Sequence, residues 1–467
     1  MMRSHLVLTA LLLAACATDQ QADVDRWRSV VSLGEPPVWT PGTPLSLATA
    51  VRLANEQNEQ IAIAGEDIVQ ALAERSRITA SMLPQADLAP TLIYREQTSS
   101  GIDFLDSDSL LDVPLHAEWT LFEGFRNMNR ATAAGLIVAQ RESLLLDLRE
   151  TVVLDVVQAY YRVLRAEERA AVLEQSIAAQ EQRVREFAAR ERIGTARVLD
   201  RTQAEALLSR TMLELFDTRN EARSGREALR LLTGADVGAS PLHDDFRMPD
   251  ERPAGEALLA LAEERRQDLR AAALAAEAAR ARVEVALGQY YPSIGVSLDW
   301  FLSRDSLPTE RDWTGLLSLY LPLFTGGRIA ADVREAWSLF RQEVSRYALL
   351  RRSIAHDLAQ ALDRLATLEQ RLDELRTLTA ADAESLRQAE GGARAGLTTN
   401  LVVLLAQNQL QRSQVDVVET ELERKVAWLL ALRVTGALTA GTVDVPVLPA
   451  PPPRPVPTSP FVRVVAG

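Results

Sequence analysis

The strongest constraint on this 467-residue chain is an internal duplication. Two stretches, roughly 45–234 and 254–436, carry the same landmarks in the same order. Residues 54–61 match 262–269, and Leu83-Pro84 matches Tyr291-Pro292, at a spacing of about 208. The spacing drops to about 202 for Leu121-Phe122-Glu123-Gly124-Phe125-Arg126 against Leu323-Phe324-Thr325-Gly326-Gly327-Arg328. It holds there for Gly194-Thr195 against Gly396-Leu397, and for Leu232-Thr233-Gly234 against Val434-Thr435-Gly436. A loop longer by about six residues in the first repeat accounts for the change. Whatever the fold, it builds one unit twice.

Each unit begins with a helix that runs to a proline, Pro84 or Pro292, which cannot continue it. Strands follow. Leu111, Val113, Leu115, Ala117, Trp119 and Leu121 alternate with Asp112, Pro114, His116, Glu118 and Thr120, which puts one apolar and one polar face on a strand. In the second repeat Ile294, Val296, Leu298 and Trp300 alternate with polar or small residues, as do Leu317, Leu319, Leu321 and Leu323. Polar stretches 97–109 and 303–312 read as the loops that close a hairpin at 85–122 and another at 293–324. For one strand alone this pattern fits a soluble sheet with one wet face. Four strands of about ten residues fit a membrane barrel. Four strands cannot close such a barrel, because bare edge groups would face hydrocarbon at several kcal/mol each. Several chains must share one wall, and three copies would supply about 12 strands in a symmetric ring.

After the strands, 136–193 and 328–390 contain neither glycine nor proline, and as continuous helix each would reach about 90 Å. Apolar residues at Leu144, Leu148, Val152, Val156 and Tyr160 recur at fours, so each helix needs partners along its length. Glycines at Gly194 and from Gly391-Gly392 to Gly396 end them, and second helices return through 201–224 and 401–435. The alternative for such helices is a soluble coiled coil, and the interleaved hairpins argue against it.

The first residues address the chain. Residues 1–5 with Arg3, an apolar run at 6–13, then Ala14, Ala15 and Cys16 read as an export signal, too short to span a bilayer. Leu13-Ala14-Ala15-Cys16 is similar to the bacterial lipoprotein cleavage box, in which Cys16, the only cysteine, takes a diacylglycerol. A net charge of -13 disfavours nucleic acid as a partner. Lys425 is the only lysine among 51 basic residues, which we read as codon bias. The four histidines, His5, His116, His243 and His356, have no metal-ligand spacing. No phosphate loop or nucleophile motif appears, so neither an enzyme nor a cofactor is expected. Asp244-Asp245 and Glu263-Glu264 read as solvated charges.

Leu83-Pro84, Tyr291-Pro292, the Leu323-Phe324-Thr325-Gly326-Gly327-Arg328 string, and the Gly194 and Gly396 turns followed by Leu199 and Leu404 together resemble the TolC-like outer-membrane factor family, in its lipoprotein form. The resemblance covers nearly the whole mature chain. It implies a coiled-coil α-helical tunnel plus a transmembrane β-barrel, duplicated internally, with four strands per protomer and both barrels closed by a homotrimer. It implies an outer-membrane location and the following organisation: signal 1–15, lipid-anchored tether 16–44, first repeat 45–234, linker 235–253, second repeat 254–436 and a Pro-rich tail 437–467. The duct would passively conduct small molecules from a periplasmic adaptor and an inner-membrane pump, proton-driven in the efflux reading. The same duct in type I protein secretion, and a non-conducting coiled-coil lipoprotein, stay open.

Bottom-up, Gly194-Thr195-Ala196 and Gly396-Leu397-Thr398 are interhelical turns; the resemblance adds adaptor contact. It also implies a constriction near these turns, made in relatives by acidic rings. Here the second repeat carries Leu401, Val402 and Leu405, and the first Asp200 and Gln203. Packed leucines would close the tip, and Asp200 either modulates cations or is a solvated surface residue.

Overall fold

The structure is a computed structural model and describes residues 20–32, 39–94, 109–249, 253–305 and 312–438. Its elements run α1 (Gln20–Val31), β1 (Leu45–Ser46), α2 (Leu47–Gln57), α3 (Glu59–Ala80), β2 (Gln85–Leu88), β3 (Thr91–Tyr94) and β4 (Ser109–Glu123). Then come α4 (Arg126–Arg192), α5 (Val198–Thr233), β5 (Leu242–His243), α6 (Gly255–Arg265), α7 (Gln267–Leu287) and a 3-10 turn (Gly288–Tyr290). The chain closes with β6 (Ser293–Arg304), β7 (Trp313–Tyr320), α8 (Arg328–Arg394) and α9 (Asn400–Val434). Two compact units result. Among the described residues one holds 20–30, 62–147 and 267–352, the other 31–61, 148–266 and 353–438, so each takes equivalent segments from both repeats.

The first unit carries a single antiparallel sheet in the order β2, β4, β6, β7, with β3 continuing the path of β2 along β4. The two hairpins are thus joined side by side through β4 and β6, and the outer edges belong to β2/β3 and β7. The expected first strand is broken at Ala89-Pro90, and β4 shifts register between Val113 and Pro114 at the same level. Proline offers no N–H to a ladder, so two prolines side by side interrupt it. The last strand stops at Tyr320, short of the expected 324, just before Pro322. Ser303 and Arg304, expected in a loop, extend β6. Ser109, also expected in a loop, opens β4, and the expected loop positions 97–108 and 306–311 lie outside the described residues. Below the sheet, Val283 and Ala286 of α7 pack on Ala336 of α8, and the Trp27 indole of α1 lies flat against Gly65 of α3, where any Cβ would strike the ring.

In the second unit the long helices pair with the returning ones around a core that includes Leu45, Leu47, Val156, Tyr160, Leu229 and Leu429. Gly225 of α5 brings that helix close to Val163 of α4; an added Cβ would sit 2.7 Å from the valine. The helices exceed the glycine-free stretches. Each long helix has 67 residues, α4 beginning at Arg126 and α8 running through Gly391-Gly392 to Arg394. The return helices begin at Val198 and Asn400. A helix interior tolerates glycine at about 1 kcal/mol each, little beside the packing of so long a helix.

The duplication shows in single bonds. Asn58 interrupts the first helix pair, its amide donating to Leu232 O at 3.1 Å while its Oδ1 accepts from Gln60 N at 2.9 Å. At the matching place in the second repeat, Arg266 interrupts α6 and α7 and donates to Val434 O at 3.0 Å. Residues 58 and 266 stand 208 apart, and 232 and 434 stand 202 apart, the spacings read from the sequence. Each break therefore caps an open carbonyl at the end of its repeat's return helix.

Candidate functional site

Opposed residues of antiparallel strands share a face, so between the register shifts at Val113/Pro114 and Thr120/Phe122 the pairing sorts the sheet's side chains. Leu88, Leu115, Trp300 and Trp313 are successive partners across the whole sheet. Ala86, Ala117, Leu298 and Gly315 form the next apolar row on that face. One residue over, the opposite face carries Asp87, His116, Asp299 and Thr314, and then Gln85, Glu118, Ser297 and Leu316. His116 donates from Nδ1 to Asp299 Oδ1 at 2.6 Å, and its Nε2 is 4.0 Å from Glu118. The apolar face keeps large side chains such as Trp119, Trp300 and Leu317 exposed. A sheet with one exposed apolar face, one charged face and two bare edges suits a wall between lipid and water. No described helix is long and apolar enough to cross a membrane.

The two turns are built alike. Gly194 and Gly396 take φ of 74° and 73°, the left-handed region that a side chain opposes, and end α4 and α8. Behind them Thr195 N donates to Arg190 O at 2.9 Å and Leu397 N to Gly392 O at 2.8 Å. Thr195, Leu397 and Thr398 are exposed, Ala196 is half-buried, and Leu397 keeps 82% of its surface open. Leu401, Val402 and Leu405 share one exposed face of α9, while Val403, Leu404 and Ala406 on the other side enter the core with Phe187 and Ala389.

Asp200 does something the sequence does not disclose. It is buried, with 4% of its surface exposed, and the solvated reading is corrected. Its Oδ2 accepts from Arg197 N at 3.1 Å, capping α5, and from the Arg197 guanidinium. The Asn400 side chain at the start of α9, in the second turn, also favours the charged form of this carboxylate. Burial opposes its charge, but the bonds from Arg197 and Asn400 prevail and hold the carboxyl below the usual range. Gln203 is half-buried one turn further on. The five constriction candidates are therefore not brought together as one ring segment: the apolar three share a face of α9, and Asp200 turns inward. Arg201, unremarked in the sequence, bonds Glu191 and Glu205 at 2.6 Å each beside the first turn.

A second polar node joins the linker to the helices. The Tyr160 hydroxyl is buried within 2.8 Å of Leu45 O and 2.9 Å of His243 O, and it accepts from His243 N at 2.9 Å. It thereby clamps β1 to β5, which pair in parallel. Next to it Tyr161 donates to Asp244 Oδ1 at 3.0 Å and Lys425 to Asp244 Oδ2 at 2.5 Å. Burial pushes both tyrosine phenols far above their ordinary range. Asp244 is thus no solvated charge, for its side chain is 15% exposed and fully engaged. The only lysine of the chain is its partner, and that singularity was the available signal. Further along, Arg169 of α4 bridges Glu214 of α5 and Glu419 of α9 at 2.7 and 3.1 Å. Ser176 and Gln180 both donate to Gln411.

Among the described residues no group of three histidine, cysteine or carboxylate side chains is placed to hold a metal. Cys16 and residues 439–467 of the tail lie outside the described residues.

The family model described as outer membrane efflux protein matches residues 50–235 and 258–436, one stretch in each repeat. The outer membrane efflux protein BepC of Brucella suis is 26% identical over 390 residues, covering 82% of this chain and 80% of its own. The outer membrane protein OprJ of Pseudomonas aeruginosa is 26% identical over 300 residues, 62% of each chain. Among solved structures, the Campylobacter jejuni CmeC outer membrane channel superposes with a TM-score of 0.76 at 16% identity, covering 88% of this chain and 92% of that one.

Proposed function

The chain belongs to the outer membrane efflux protein family, and we propose that three copies form an exit duct in the outer membrane of a Gram-negative cell. Its apolar sheet face meets lipid and its charged face lines the passage. The observation that carries this reading is the pair of bare edges on β2/β3 and β7 combined with the duplication. Within the chain, β4 of the first repeat pairs with β6 of the second. The repeat-equivalent partners are β7 and the β2/β3 path, which a single chain leaves unjoined. Carrying the β4 and β6 register over by the spacings of 208 and 202, Asp299 opposite His116 becomes Thr91 opposite Ser318 of the partner subunit. A threefold ring satisfies every edge.

In the same reading Cys16 is acylated after removal of residues 1–15, and the turns at Gly194-Thr195-Ala196 and Gly396-Leu397-Thr398 meet a periplasmic adaptor coupled to an inner-membrane pump. Support comes from the cleavage-box sequence, from the exposure of Leu397, Thr195 and Thr398, and from relatives named for efflux. The cargo is small molecules.

A paired-cysteine experiment tests the ring. Directly opposed strand residues bring Cβ atoms to about 4.5–5.5 Å, whereas diagonal neighbours stand about 7–8 Å apart. Thr91→Cys with Ser318→Cys should crosslink protomers into trimers that conduct ions in planar bilayers, and Thr91→Cys with Leu316→Cys should crosslink poorly. Extractable monomers without conductance would instead favour the coiled-coil lipoprotein.

A further inference from the structure

The charged face of the sheet is not evenly charged. Beyond the register shift at Val113 and Pro114, Asp112 of β4 stands opposite Arg304 of β6, so an acid has a basic register partner there. At mid-strand the face carries Asp87 on β2, Glu118 on β4 and Asp299 on β6, with neutral Thr314 on β7, and among the described residues of these rows the only group able to carry positive charge is His116. These three carboxylates are the titratable groups that face it: Asp299 in direct contact at 2.6 Å, Glu118 at 4.0 Å and Asp87 directly opposite in register. His116 is one-third exposed, so it is held by its neighbours yet open to the aqueous side.

We propose that this row is the ion-selective band of the barrel and that His116 sets its strength. The proposal rests on the trimeric duct, in which the row recurs around the passage by symmetry. With His116 neutral, three carboxylates per protomer favour cations over anions at this level. With His116 protonated, one of those charges is offset in every protomer and the preference relaxes. Cargo carrying positive charge therefore passes this level more readily when the medium is neutral than when it is acidic. Added charges at roughly 10 Å from the axis, screened over a comparable length, change the cation-to-anion permeability ratio by about twofold or more.

Reversal potentials under a potassium chloride gradient, measured on full-length trimers in planar bilayers, read the ratio. The two conditions are about pH 8 and about pH 5.5, either side of the ordinary histidine value and above that of the carboxylates. The unmodified protein should lose about half its cation preference or more at the lower pH. His116→Gln should hold the high-pH preference at both, and His116→Arg should show the weaker preference at both. Asp299→Asn should weaken the preference at the higher pH. The proposal is overturned if His116→Gln keeps the full pH dependence, or if neither histidine variant changes the ratio. Absence of any channels overturns the conducting reading itself, and this proposal with it.

Discussion

Removing one oxygen atom from Tyr160 should free the linker strand without disturbing the core. In Tyr160→Phe the ring stays, and the site is fully buried, so packing is conserved. What goes is a hydroxyl that accepts from His243 N at 2.9 Å and donates toward Leu45 O and His243 O at 2.8 and 2.9 Å. The variant strands the His243 amide and leaves a carbonyl short of a donor. A buried polar group left unsatisfied costs about 1–3 kcal/mol. If that cost falls on the local opening of β1 from β5, opening becomes roughly 5- to 150-fold more frequent, since about 1.4 kcal/mol is a factor of ten. Hydrogen exchange followed by mass spectrometry on peptides across 240–246 measures it, with α4 peptides as the internal reference. Exchange there within about twofold of the unmodified protein would show that the hydroxyl is not what holds β5, because even the smallest cost implies more.

Lys425→Met should cost roughly 2–4 kcal/mol, less than for a fully buried pair because both Lys425 and Asp244 keep some solvent contact. Adding Asp244→Leu should recover much of the loss, and thermal unfolding of the single and double variants decides. Gly194→Ala and Gly396→Ala should each cost about 1–2 kcal/mol by backbone strain, and nearly equally, since both φ values match and neither Cβ meets a neighbour; melting temperatures that differ widely would mean that one turn is buried in the assembly. The folded carboxyl of Asp200 titrates below its unfolded value, so its contribution is present above about pH 4 and is lost as pH falls through the lower folded value. Proteolysis at the turns should thus rise in acid for the unmodified protein, while Asp200→Asn should be more susceptible already at neutral pH and show less of that dependence. Leu405→Ser should raise the closed-state conductance if the apolar face of α9 seals the tip, and unchanged single-channel recordings would count against a leucine seal.

The backbone plan was legible because the duplication supplied every landmark twice. Pro84 and Pro292, the strand alternation and the two turn glycines each fix a boundary by local chemistry alone. The misses have physical causes. Asn58 and Arg266 break their helices with no proline or glycine to announce it, because the break is stabilised by a distant carbonyl, Leu232 or Val434. Gly391-Gly392 suggested an end that helix packing overrides. Asp200 and Asp244 look like any surface acid until Asn400 and Lys425 are brought to them from elsewhere in the chain. The His116 and Asp299 pair depends on the junction of two hairpins 183 residues apart, which alternation within a strand cannot reveal.

Equal backbones with unequal side chains give the two turns unequal hold. α5 opens on Asp200, whose carboxylate accepts from Arg197 N and the Arg197 guanidinium, and Arg201 adds two ion pairs behind it. α9 opens on Thr399 with no side-chain cap and no acid in its first turn, so of its leading N–H groups Val402 N has only the Thr399 carbonyl, at 3.1 Å, and no side-chain charge compensates them. From the first turn, Asp200 is favoured in its charged form by the Asn400 side chain. Removing Asp200 therefore uncaps α5, whereas removing Asn400 leaves the α5 cap in place. Since Leu401, Val402 and Leu405 ride on that same start of α9, the apolar face there is carried by the turn with fewer side-chain bonds, and such a segment is where local opening costs least.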